Sequence, residues 1–231
     1  MLREIGGAGQ AKLREAHVQV VGCGGLGGPA ALYLAAAGVG RIGLFDPDVV
    51  EDSNLQRQIQ FGEGEIGRPK VEVLAERLRA VDAKLDVWTV QKRVEEIGDL
   101  GLCDVVLDGT DNFETRFHVN AKTRLLQTPL VSGAVAGWQA QVGVFGGWGD
   151  AACYRCLVPE VPPEAMDCEA TGIVGAVAGL AGSVMALEAI KLITGAGEPL
   201  VSRLWLHDGL AGEGRTVRVP RDPGCPECGR L

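Results

Sequence analysis

Val18-Gln19-Val20-Val21-Gly22-Cys23-Gly24-Gly25-Leu26-Gly27-Gly28-Pro29 opens the stretch that decides the fold. An Ala/Leu-rich run to Ala37, then Gly38, then Arg41 to Phe45 and Asp46 complete it. It parses as strand, glycine turn, helix, strand and acid. Gly22 permits the tight turn, Gly24 lets the backbone approach a phosphate, and Gly27 lets the helix pack close to the sheet. Free N–H groups at the helix start face an anion. Pro29 suits the first helical turn, where its missing N–H is no loss. Asp46 follows at about the distance where an acid accepts hydrogen bonds from a ribose. The ligand this implies is a nucleotide. The stretch alone does not separate a nicotinamide or flavin cofactor from ATP.

Working outward, 231 residues suit one large domain, 1–231, with a proper core. Hydrophobic content of 46% and charged content of 23% are those of a soluble globular chain. A net charge of −8 argues against nonspecific nucleic-acid binding. Met1-Leu2-Arg3-Glu4 has no apolar run, so no signal peptide is visible and a cytoplasmic setting is expected. Seven cysteines in such a chain favour reduced thiols and metal binding over disulfides.

Residues 3–17 read as a short amphipathic helix. The polar connection after Asp46 is long for an α/β unit, which usually marks function. A helix starts near Pro69, with Val71, Leu74, Ala75 and Leu78 at helical spacing. Leu85–Val90 is a strand, Glu95–Leu100 a short helix, Val105–Leu107 a buried strand and Glu114–Leu126 a helix. Pro129–Ala134 and Gln139–Phe145 are strands, the second antiparallel and half exposed. The Pro-rich acidic stretch Val158–Ala170 reads as a mobile loop carrying Cys168. Ile173–Ile193 is a long Gly/Ala-rich helix. Its charged end, Glu188 and Lys191, comes too early for a membrane span, so it reads as a buried helix. Strands at Arg203–His207 and Thr216–Val219 precede the tail.

Two C-x-x-C pairs, Cys153/Cys156 and Cys225/Cys228, carry the strongest independent signal. Two such knuckles meet the tetrahedral demand of Zn²⁺, and a closed Cys₄ shell is structural rather than catalytic. The metal would staple the tail to the body. The competing reading is one redox dithiol and one incidental pair. Arg57 and Lys70 suit a polyphosphate, Arg as a fork and Lys as a point charge. On composition alone both read as solvated surface residues. Asp108 and Asp111 follow a strand's C-terminal end, where open α/β sheets bind ligands, and a carboxylate there suits Mg²⁺. Alternatively Asp111 or Asn112 only caps the next helix. Cys168 is either a thiol that attacks an activated acyl group or a free cysteine without a role. Cys23 and Cys103 read as small core fillers.

In order along the chain stand Gly22-x-Gly24-Gly25-Leu26-Gly27, Asp46-x-Asp48-x-Val50-x-x-Ser53-Asn54-Leu55-x-Arg57-Gln58, Gly67-x-Pro69-Lys70 and Asp108-x-Thr110-Asp111-Asn112. Cys153-Tyr154-Arg155-Cys156, Cys168-Glu169-Ala170, Glu188-Ala189-Ile190-Lys191 and the Cys225/Cys228 pair follow. Together these resemble the MoeB/ThiF family, bacterial relatives of ubiquitin-activating enzymes. The resemblance implies ATP-dependent adenylylation of the C-terminal Gly-Gly of a ubiquitin-like sulfur carrier, with release of pyrophosphate, for molybdopterin or thiamine biosynthesis. It implies that Asp46 binds the ribose, and that Asn54, Arg57, Gln58 and Lys70 hold the phosphates. Asp111 would bind Mg²⁺, and Cys168 matches a loop cysteine that in some relatives bonds to the carrier. A homodimer and a separate sulfur donor, a cysteine desulfurase or rhodanese-like protein, are implied partners. The expected fold is one three-layer, Rossmann-like α/β domain. Its sheet is mostly parallel with some antiparallel strands, and a Cys₄ zinc staple is added.

The family usually carries an Arg-rich stretch, R-Y-x-R-Q, ahead of the segment that here reads Glu4-Ile5-Gly6, and one of its arginines reaches the partner subunit's ATP site. Arg3 is not its equivalent. Two readings follow: a trimmed or misplaced start, or a site lacking that arginine, with slow or absent adenylylation. The rivals to adenylylation are a carrier-binding protein without catalysis and a nicotinamide oxidoreductase. The second leaves Arg57, Lys70 and the cysteine pairs idle.

Overall fold

The computed structural model describes residues 2–97, 100–146, 148–162 and 172–229. Eight strands form one sheet in the order β3-β2-β1-β4-β5-β6-β7-β8. They are β1 His17–Val21, β2 Arg41–Phe45, β3 Asp86–Val90, β4 Val105–Asp108, β5 Leu130–Ala136, β6 Gln139–Phe145, β7 Arg203–Asp208 and β8 Glu213–Arg218. The helices are α1 Gly6–Glu15, α2 Gly27–Ala37, α3 Lys70–Val81, α4 Phe113–Leu125, α5 Tyr154–Leu157 and α6 Gly175–Thr194. β3, β2, β1, β4 and β5 run parallel, and β6, β7 and β8 continue the sheet antiparallel. The mostly parallel sheet with some antiparallel strands, expected from the sequence, is what forms.

Side-chain alternation explains the three layers. In β1, Val18 and Val20 enter one apolar cluster and Val21 the other; Leu107 and Val106 of β4 divide in the same way. The inner strands β1 and β4 are therefore buried on both faces, while β3 at the sheet edge stays partly exposed. α2, α3 and α6 cover the first face and α4 the second. α2 ends where Gly38 takes φ +87°, a left-handed cap that a glycine adopts without a Cβ penalty. Contrary to the expectation from its charged end, α6 is long and apolar enough to cross a bilayer by length and composition. Here it packs on α1, α2 and strands β4 to β6, with Val177, Ala178, Ala181, Met185, Ala186 and Ala189 buried.

Several boundaries differ from the sequence reading. α2 begins at Gly27, so Pro29 is its third residue, still within the first turn. The expected helix at Glu95–Leu100 is a 3₁₀ turn over Val94–Glu96, and residues 98–99 lie outside the described set. β8 starts at Glu213 rather than Thr216, because pairing with β7 continues out to Asp208↔Glu213. Those extra residues are polar and exposed, so hydrophobic pattern carries no trace of them. Most of the loop 158–170, Cys168 included, lies outside the described residues.

The order matters for the site. β1 connects to β2 on one side and its other neighbour is β4, so the chain reverses direction across the sheet between β1 and β4. Open α/β sheets form their ligand crevice at such a point, at the strands' C-terminal ends. Gly22 and Asp108 stand at those two ends.

Candidate functional site

The glycine turn is as tight as its composition suggests. Gly22 has φ +86°, and a Cβ there would lie 3.0 Å from the Gly109 carbonyl. A Cβ on Gly27 would fall 1.9 Å from the Gly22 oxygen and 3.0 Å from Val20. Gly22 and Gly27 thus permit the turn to close on itself and on β1. Gly24 and Gly25 face the connector: a Cβ would stand 3.4 Å from the Gln58 amide and 3.1 Å from the Arg57 carbonyl, respectively.

The connector between β2 and α3 folds back over this turn through 3₁₀ turns at Asp52–Asn54 and Glu63–Glu65. An antiparallel bridge between Val49 and Pro69 closes it. Asn54 and Gln58 are buried, and Gln58 Nε2 donates to Asn54 Oδ1 at 3.1 Å. Gln58 Oε1 is buried with no protein partner among the described residues. An orphaned acceptor beside a phosphate-type turn marks a position where a ligand donor fits.

Asp46 is buried at the end of β2. One carboxylate oxygen accepts from the Cys23 N–H at 2.7 Å and the other from the Asp48 N–H at 2.9 Å. Each oxygen keeps a lone pair for a ribose hydroxyl. Burial pushes the Asp46 carboxyl up from its ordinary value, against the pull of the Lys70 ammonium and these two N–H donors. The Cys23 thiol is pushed well up, chiefly by burial and then by Asp46, so it is an inert filler rather than a nucleophile.

Lys70, first residue of α3, donates from Nζ to Asp48 Oδ2 at 3.0 Å. Its side chain is 7% exposed while that of Asp48 is 62% exposed. Asp48 donates its N–H to Asp46, whose other oxygen accepts from the Cys23 N–H, so a chain of contacts links Lys70 to the glycine turn. Surface lysines lie in water; this one is buried, and the solvated reading that composition favoured does not hold for it. Arg57 is half-buried. Its main chain abuts Gly25, and its guanidinium donates to the Ser53 carbonyl at 3.0 Å. The two basic side chains are therefore placed differently: Lys70 is buried, and Arg57 is half-buried and held on the Ser53 carbonyl.

The two acids after β4 also separate. Asp108 is fully buried and satisfied: Oδ1 accepts from the Thr110 N–H and hydroxyl, Oδ2 from the Ser132 hydroxyl at 2.8 Å. Asn112, not Asp111, caps α4 by accepting from the Thr115 N–H at 2.9 Å. Asp111 is left exposed. Its carboxylate suits a hard cation that keeps several waters, as Mg²⁺ does.

Sequence reading passed over Arg116 and Asn120. Arg116 is buried in α4 and donates to the carbonyls of Thr110 and Gly133 and to the Tyr154 hydroxyl. Burial works against its charge, but Asp108, Tyr154 and Asp111 outweigh that and hold its pKa up. The Asn120 side chain accepts from the Tyr154 N–H at 2.7 Å. α4 thus joins the acidic loop to the first cysteine knuckle. The available signal was a charged residue on the inner side of a helical repeat. We predict that Arg116→Ala lowers unfolding stability by roughly 3–5 kcal/mol, read from urea midpoints, because it leaves buried Asp108 and two carbonyls without their cation. Loss below about 1 kcal/mol would refute that role.

Cys153, Cys156, Cys225 and Cys228 converge, their sulfurs all within 4.8 Å of one another. The Cys153–Cys156, Cys153–Cys225 and Cys156–Cys228 separations are 3.9, 3.6 and 3.3 Å. Four thiolates at the usual Zn–S length of about 2.3 Å stand about 3.8 Å apart in a tetrahedron. The Asp222 N–H donates to Cys156 Sγ and the Cys228 N–H to Cys225 Sγ, the kind of support a thiolate ligand takes. Burial raises the Cys153 thiol and pushes Cys156 up to about 11. Burial also works upward on Cys228, but the hydrogen bonds of Cys156, Cys153 and Cys225 outweigh it and bring it to about 7. The cluster fits a tetrathiol metal site in geometry and chemistry.

The sequence pattern of the ThiF family matches residues 1–227. The chain is 42% identical over 232 residues to the sulfur carrier protein ThiS adenylyltransferase of Escherichia coli K12, covering 99% of this chain and 92% of that one. It is 41% identical over 240 residues to the sulfur carrier protein adenylyltransferase of Thermus thermophilus, covering 99% and 88%. Against the maize adenylyltransferase and sulfurtransferase MOCS3-1 it is 42% identical over 235 residues, covering 99% of this chain but 50% of that longer one. Among solved structures, E. coli MccB with ATP superposes with a TM-score of 0.84 at 25% identity, covering 96% of this chain and 68% of that one. On that match along nearly its whole length, the chain belongs to the ThiF family.

Proposed function

We propose that this chain adenylylates the C-terminal Gly-Gly carboxylate of a ubiquitin-like sulfur-carrier protein. The observation that carries the reading is the buried Lys70 ammonium, paired with Asp48 and linked through it to Asp46 and the Cys23 N–H of the glycine turn. A dinucleotide's pyrophosphate rests on a helix N-terminus and needs no such charge. A triphosphate that must release pyrophosphate does. The relatives at 41–42% identity are named as adenylyltransferases acting on sulfur carriers, which supports the same reading.

A carboxylate is a poor electrophile, and joining it to AMP gives it a good leaving group. A carrier carboxylate oxygen attacks the α-phosphorus of ATP. The bond to the bridging oxygen breaks, and pyrophosphate leaves with the electron pair. Asp46 orients the ribose; Asn54 and Gln58 close over the turn; Lys70 and Arg57 neutralise the departing phosphates. Asp111 is the residue to hold Mg²⁺, which supplies further neutralisation at the phosphates. Such positioning and charge stabilisation is most of what phosphate transfer requires. Zn²⁺ in the Cys₄ site supplies structure alone. Cys168 is the candidate thiol for a later acyl step, and a homodimer within a single-domain architecture is the assembly proposed. The soluble biosynthetic setting of the family suggests the cytoplasm.

Purified chain with a Gly-Gly-ended carrier and Mg²⁺ is expected to catalyse exchange of labelled pyrophosphate into ATP. Exchange that is absent with every ThiS- and MoaD-type carrier, alongside tight NADH binding, would replace this reading with the oxidoreductase. Carrier binding without exchange would select the non-catalytic one.

A further inference from the structure

Gln60 lies in the connector, buried, and the sequence reading gave it no role. Its Nε2 donates to the Cys23 carbonyl at 2.9 Å and to the Gly24 carbonyl at 3.0 Å. Only the amide nitrogen suits two carbonyls, so chemistry sets the side chain's orientation. A Cβ on Gly28 would stand 2.2 Å from that nitrogen. Gly28 is the space through which Gln60 reaches the turn. Gln60 is itself anchored, since its carbonyl accepts from Arg77 Nε at 3.2 Å and Arg77 pairs with Glu65.

A trans peptide is planar, with its C=O and N–H directed oppositely. No cis peptide occurs in the described chain. Tying the Cys23 carbonyl to Gln60, and the Gly24 carbonyl jointly to Gln60 and the Gly28 N–H at 3.0 Å, therefore turns the N–H groups of Gly24 and Gly25 away from it. Neither N–H has an acceptor among the described residues. Meanwhile Gln60 Oε1 is buried without a partner. An apolar side chain would fill the same volume without that orphan, so the amide is explained by its donor.

We propose that Gln60 is a positioning residue that aims the Gly24 and Gly25 N–H donors at the nucleotide's phosphates, and that Gly28 is its obligate companion. This rests on the reading of the crevice as an ATP site. The test is calorimetric titration of the full chain with Mg-ATP for wild type, Gln60→Leu, Gly28→Ala and the double variant. Gln60→Leu is expected to weaken ATP binding about tenfold. Gly28→Ala should do nearly the same, and the double variant should be no worse than Gln60→Leu, because both act on one contact. In exchange assays the loss should appear in the KM for ATP with kcat within about twofold, the mark of uniform binding. Gln60→Glu, which keeps the shape but turns a carboxylate on two carbonyls, should bind ATP more weakly still. It keeps the test open if the Leu variant does not fold. Wild-type affinity in a folded Gln60→Leu or Gln60→Glu variant, or additive losses in the double variant, would overturn the proposal alone. A wild-type chain that binds no ATP would overturn the crevice assignment and this inference together.

Discussion

Lys70→Ala should cut carrier-dependent ATP–pyrophosphate exchange by roughly 10²–10³-fold, the usual cost of removing one preorganised charge from a transition state. The fold should survive. Lys70 begins α3, where Ala is a good helix former, and its side-chain partner among the described residues, Asp48, is largely exposed and falls back on water. The loss should therefore sit in the rate, with circular dichroism and metal content unchanged. Lys70→Arg should not restore activity, since a larger planar fork does not fit a buried point-charge site. Asp111→Ala should bring a similar loss and shift the Mg²⁺ requirement upward, because its carboxylate is exposed and free to meet a cation. Exchange within a few-fold of wild type in both variants would remove the two residues from the phosphate site.

The second large effect concerns the Cys₄ cluster. Protein purified without chelator should contain about one zinc per chain, and stripping it should lower the melting temperature by roughly 10 °C or more. Structural zinc is worth many kcal/mol in small domains, and each kcal/mol moves the midpoint of a chain this size by about 2–4 °C. Here the metal would join α5 to a tail that follows the last strand, linking segments far apart in sequence. The cost should not stop at the tail. Tyr154 lies between two of the cysteines and contacts Asn120 and Arg116 of α4, and Arg116 in turn holds the Thr110 carbonyl of the acidic loop. Cys225→Ser should give most of the thermal loss. Metal well below half an equivalent, or an unchanged melting point after chelation, would show the cluster to be thiols alone.

Spacing was enough to lay out most of this molecule. Strand, turn, helix and acid follow from the glycines and from Gly38, because each demands a backbone conformation that few other residues take. The inner parallel strands were legible as apolar runs, and the two cysteine pairs as one ligand set, because tetrahedral coordination restricts which residues serve. Where local chemistry was weak, reading failed: β8 begins among exposed polar residues whose only reason to be extended is the neighbouring strand.

The division of labour within the site lay beyond any local rule. Asp108 and Asp111 are the same residue type three positions apart, yet one is consumed by Thr110 and Ser132 and the other is left to solvent. Lys70 looked like any surface lysine until the connector buried it. Arg116 and Gln60 were invisible because their partners come from other parts of the chain. Composition and spacing record what a side chain is able to do. Which hydrogen bonds it has left to offer depends on what the folded chain places around it, and that is set by packing between distant segments.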